Sequence, residues 1–117
     1  MGSEYVDIAL AKIIEAESIV NSNAEKFVEV DRRKLVNNLC WYQLEKYLLL
    51  NETYERTQEE GDREMAADHY ATACRRYQDL EKILDNDATS SNMYDTAAWH
   101  CFHAYKREKD PKLLEKA

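Results

Sequence analysis

The stretch Leu39-Cys40-Trp41-Tyr42-Gln43-Leu44-Glu45-Lys46-Tyr47-Leu48-Leu49-Leu50 decides the fold. Its apolar residues repeat by sevens on adjacent lines: Cys40, Tyr47 and Tyr54 on one, Leu35, Tyr42 and Leu49 on a second, Trp41 and Leu48 on a third. That periodicity describes a helix that is apolar around much of its circumference. One partner helix cannot cover such a surface. Either this helix is the centre of a bundle and touches three others, or part of it is left for another chain. The central position is the expectation, and Trp41 and Leu48 are kept as candidate partner-binding residues.

Outward from this segment, the second helix is expected to run from Asn23 to Glu60. Ser22 with Glu25 forms a capping-box signature at its start. The Val28-Glu29-Val30 alternation, with Arg32, Arg33 and Lys34 after Asp31, leaves room for a break near residue 30. Gly61 reads as the residue that ends helix two and Asp62 as the cap of helix three, so the two helices should form a tight antiparallel hairpin. Helix three, Asp62 to about Asp85, carries Ala66, Tyr70, Ala73, Tyr77, Leu80 and Leu84 at alternating spacings of four and three, the seam of knobs-into-holes packing.

Helix one, Glu4 to Val20, places Val6, Leu10, Ile13 and Val20 on one stripe with Ala9, Ile14 and Ala16 beside it. Helix four, Asn92 to about Lys109, shows the stripe Tyr94, Ala98, Cys101 and Tyr105 flanked by Trp99 and Phe102. Asp110-Pro111 reads as the cap and first turn of a short last helix. No fixed repeat period emerges. The fold class is therefore all-α: a single domain over residues 1–117, an antiparallel bundle of about four helices plus a short C-terminal helix. Composition agrees, since 2 glycines and 1 proline in 117 residues are too few for the turns of a sandwich or barrel. With 44% apolar residues the chain can bury a core without disulfides.

Cys40, Cys74 and Cys101 are an odd number of thiols without CxxC spacing, which suits small buried hydrophobes in a reducing compartment. No signal-peptide layout opens the chain and no apolar run is long enough to span a bilayer, so a cytoplasmic protein without membrane contact is expected.

The net charge of −7 is uneven. Residues 1–31 hold Lys12 and Lys26 against Glu4, Asp7, Glu15, Glu17, Glu25, Glu29 and Asp31, a local −5. Direct nucleic-acid binding is disfavoured, because Arg32-Arg33-Lys34 and Arg75-Arg76 have acids beside them on long helices. His100 and His103 stand at i and i+3, a geometry that can hold a transition metal, but the same face carries Thr96 and Arg107 and reads as a solvated polar strip. A zinc site drawing on the three cysteines lacks ligand pairs at short spacing. The residues three before His69, His100 and His103 are Ala66, Ala97 and His100, so the Glu-x-x-His of dimetal bundles is absent. With no phosphate loop and no nucleophile elbow, the chain is expected to be no enzyme and to need no cofactor or metal.

The expected function is a non-catalytic, protein-binding regulatory or adaptor module. Glu15, Glu17, Glu25 and Glu29 supply a candidate acidic face, Trp41 and Leu48 a candidate apolar one, and homo-oligomers are allowed. The alternative is an acidic inhibitor or decoy that presents carboxylates to the cationic groove of a nucleic-acid-binding protein, as inhibitors from mobile elements do. A metal-binding or enzymatic bundle is the second alternative.

Overall fold

The computed structural model of the chain describes residues 2–23, 29–86 and 91–110. Four helices account for nearly all of them: α1 Gly2–Ser22, α2 Glu29–Thr57, α3 Glu60–Asn86 and α4 Ser91–Glu108, with no strand among the described residues. The all-α bundle is thus what the sequence anticipates. None of the described helices is long and apolar enough to cross a membrane. The capping-box position Glu25, with the expected start of helix two, and the segment from Pro111 onward lie outside the described residues, and the described part of α2 begins at Glu29.

α2 is the central member: it packs against α1, α3 and α4, whereas α1 packs backbone to backbone against α2 alone. Accordingly, no residue from Leu39 to Leu50 is fully exposed. Leu39, Cys40, Gln43, Leu44 and Tyr47 are buried outright. The α2–α3 seam follows the predicted register, with Ala66, Ala73 and Leu80 buried and Tyr70, Tyr77 and Leu84 packed at its edges. Small alanines at alternate seam positions let the two backbones approach, and tyrosines fill the space between them.

The α2–α3 turn is three residues earlier than the glycine suggests. α2 ends at Thr57, and Gln58 takes the left-handed conformation (φ 55°) that closes a helix. The Thr57 hydroxyl accepts the Glu59 N–H at 3.2 Å and donates to Asp62 at 2.6 Å. The Glu59 carbonyl accepts the Arg63 N–H at 3.1 Å, so Glu59 is the residue that caps α3, and Gly61 and Asp62 lie inside its first turn. Glu60 and Asp62 there complement the helix dipole, and Glu60 pairs with Arg63 at 2.7 Å.

Two face assignments are corrected. Ile14, placed beside the α1 core stripe, is exposed, while Val6, Leu10 and Val20 are buried. In α4 the buried face is Met93, Thr96, Ala97, His100, Cys101 and Ala104, and Tyr94 and Phe102 project outward. The helix is rotated relative to the expected stripe because its inward face meets Tyr77 of α3. The flat phenol ring there accepts the His100 imidazole by stacking. α4 ends at Glu108, and Lys109 adopts the left-handed conformation (φ 60°) beyond it.

Candidate functional site

α1 and α4 both lie on α2 but do not pack against each other. The surface of α2 beside α4 bears three hollows in a row from Asn37 to Glu55, over about 27 Å at the helical rise of 1.5 Å per residue, a discontinuous groove that α1 walls at its middle hollow. The first, of about 330 Å³, is polar: Asn37, Asn38, Trp41 and Tyr42 face Asp95 and Thr96 of α4. The middle hollow, of about 370 Å³, is mostly apolar, with Leu48 and Leu49 beside Glu45 on α2, Tyr5 and Val6 from α1 on one wall and Trp99 on the other. The last, of about 480 Å³, sets Glu52 and Glu55 of α2 opposite His103, Lys106 and Arg107 of α4.

The groove is framed by aromatic contacts that fix its walls. Trp41 and Trp99 stack at 4.1 Å between centroids, and the edge of Trp99 meets the His103 ring at 5.4 Å. Arg107 lies over both Tyr47 (5.3 Å) and Tyr70 (4.8 Å) and donates to the Tyr47 hydroxyl at 3.2 Å. Cation–π contact on two rings holds the guanidinium in one place at the groove's end. Tyr70 in turn donates to Glu108. Burial, then the neighbouring Lys106, keep His103 below the usual imidazole range, so the cationic end is carried by Lys106 and Arg107 at neutral pH.

The polar strip expected on the outside of α4 instead turns inward. Thr96 and His100 are buried, and His103 is half-buried in the groove wall. His100 stacks flat on Tyr77, 4.4 Å apart and 7° from parallel, with its Nδ1 buried and unpartnered. Burial lowers its pKa to about 4, His103 pushing the same way and Glu81 opposing. Beside it Cys101 donates to the Tyr77 hydroxyl, which donates to Glu81, both at 3.2 Å. Cys40 and Cys101 are buried and Cys74 half-buried. Burial first, then Cys101, Cys74 and Asp79, pushes the Cys40 thiol up to about 12, which removes it from thiolate chemistry at neutral pH. Among the described residues no three His, Cys, Asp or Glu side chains are grouped so as to hold a metal ion.

Of the residues singled out in the sequence, Trp41 lines the first hollow and Leu48 the middle and last ones, and the Trp99 ring that stacks on Trp41 also lines the middle hollow. Leu48 also packs on the Leu44 and Tyr47 cluster and is half-buried. The carboxylates are dispersed. Glu15 is exposed on α1, and Glu17 is held bidentately by Arg76 of α3 at 2.7 and 3.2 Å. Glu29 opens α2, and Glu25 is outside the described residues. Asp7, another member of the acidic quarter, pairs with Lys46 at 2.6 Å. Trp99 and Arg107 were visible in the sequence only as a stripe flank and part of a solvated strip. Their role in the groove follows from the rotation of α4, which no local pattern encodes.

Comparison with known proteins finds no matching family model, no similar curated protein and no similar solved structure.

Proposed function

We propose that the protein is a non-catalytic binding module whose groove between α1 and α4 receives an amphipathic segment of a protein partner. The observation that carries this reading is the middle hollow, where Leu48 and Leu49 of α2 with Tyr5 and Val6 of α1 and Trp99 of α4 leave a mostly apolar surface, edged by Glu45, that neither flanking helix closes over. A groove of about five helical turns, apolar in the middle and charged at one end, fits a partner helix with apolar residues on one face. Lys106 and Arg107 opposite Glu52 and Glu55 select the polar rim of that helix, and Trp41, Leu48 and Trp99 supply the apolar centre where binding energy concentrates. The acidic-decoy reading is weaker on this arrangement, because Arg76 and Lys46 already neutralise Glu17 and Asp7.

The test uses affinity capture from the source cell with the full chain and two variants, Leu48→Glu and Glu15→Gln. A partner retained by the parent and by Glu15→Gln, lost by Leu48→Glu and insensitive to salt supports the apolar groove. Loss with Glu15→Gln together with steep salt sensitivity supports the decoy instead.

A further inference from the structure

We propose that the outer face of α1 is a self-association surface on which two copies of the chain pair antiparallel. α1 turns Val6, Leu10 and Val20 toward α2 and leaves a second line, Ile8, Lys12, Glu15 and Ile19, on the opposite side. The spacing of that line is four, three, four, the seam of a coiled coil rather than a scatter of surface residues. Its two isoleucines are 63% and 51% exposed, far more than isoleucine on a finished surface requires. Lys12 and Glu15 between them have no ion-pair partner among the described residues.

The order of residues along the line identifies the occupant. A two-fold axis midway between Lys12 and Glu15 sets Ile8 against Ile19 of the second copy and Lys12 against Glu15 of the second copy, each contact occurring twice. The line is therefore complementary to itself in the antiparallel sense, as an isologous interface must be. In the parallel alignment Lys12 would face Lys12 and Glu15 would face Glu15, so the central charges admit one orientation and repel the other. Ala9, Ala11, Ala16 and Ser18 flank the seam and present little bulk to hold the helices apart. Among the described residues no helix other than α2 packs its backbone on α1, and α2 lies on the opposite side from this line. A single pair of helices about 30 Å long buries less than the roughly 1,200 Å² of a stable interface, which makes the dimer weak and concentration-dependent. The surface is separate from the groove, and this inference stands whether or not the groove binds a partner.

Sedimentation of the full chain over a concentration series tests the pairing. The parent should pass from monomer to dimer as concentration rises. Ile8→Asp, Lys12→Glu and Glu15→Lys should each raise the dissociation constant about tenfold or more, since two-fold symmetry makes every substitution act twice. An equimolar mixture of Lys12→Glu with Glu15→Lys chains should recover the dimer, and so should the double variant, which in a parallel pair would still oppose like charges. Recovery in the mixture also shows that the single variants are folded. A parent that stays monomeric to millimolar concentration, a dimer indifferent to Ile8→Asp, or single variants that fail to recover when mixed would each overturn the proposal.

Discussion

His100 shows how one side chain can govern the response of the whole fold to acid. Its imidazole is 3% exposed, stacked on Tyr77, and carries a pKa of about 4 against an ordinary value of 6.5. The unfolded chain therefore binds a proton between pH 6.5 and 4 that the folded chain refuses, and stability falls as pH drops through that window. The full effect is on the order of 3 kcal/mol at 1.36 kcal/mol per unit. His69 and His103, also lowered by burial, add losses of the same sign. Urea unfolding at pH 7.5 and pH 5 should show this loss, and His100→Phe, which keeps an aromatic ring on Tyr77, should flatten it. An unchanged slope in that variant would mean that His100 is charged in the folded state. Sequence alone could not place this residue, because Thr96, His100, His103 and Arg107 form a polar line on a helical wheel. What holds His100 inward is the Tyr77 ring on another helix, a tertiary fact.

At the scale of elements, α2 and α3 were legible where packing follows the heptad and illegible where a turn depends on one residue's backbone. Ala66, Ala73 and Leu80 are buried in the anticipated register because the repeat by sevens leaves a single face for α2 to occupy. The turn moved off Gly61 because Thr57 and Asp62 close it through side-chain hydrogen bonds, with Gln58 tolerating a positive φ. Gly61 is thus an ordinary helical residue, and a methyl group added there meets nothing within 4 Å. Gly61→Ala should stabilise the protein by about 0.5–1 kcal/mol, since alanine has less backbone freedom to lose. A loss of stability in thermal or urea unfolding would return the glycine to a turn. The central helix makes a second demand. Leu44, 1% exposed, should cost about 2–5 kcal/mol on substitution by alanine, whereas half-buried Leu48 should cost clearly less. Equal costs would mean that the groove over Leu48 is closed. Trp41 and Leu48 were readable as surplus apolar surface of α2, but which helices would wall them in was not, because local periodicity does not say which helices become neighbours.

In the whole molecule, α1 is the described helix that packs on a single neighbour. α2 touches all three other helices and α3 packs on both α2 and α4, whereas α1 has α2 alone behind it. Its one described ion pair to α3 is Glu17 with Arg76, whose side chains are 27% and 19% exposed. That pair crosses from the edge helix to the hairpin and anchors α1 beyond its own strip of apolar contacts. Breaking it strands a partly buried guanidinium whose Nε already lacks a partner. The cost should be about 1–2 kcal/mol, between the small worth of an exposed pair and the larger loss on opening a buried one. Stability that is unevenly distributed shows as local opening, so α1 amides should exchange with solvent faster than those of α2 and α3. Glu17→Gln should speed exchange in α1 further while leaving the α2 and α3 amides at the parent rate. If all helices exchange together in both proteins, the bundle opens as one cooperative unit. α1 would then be as integral to it as the hairpin, and its packing on a single neighbour would have no dynamic consequence.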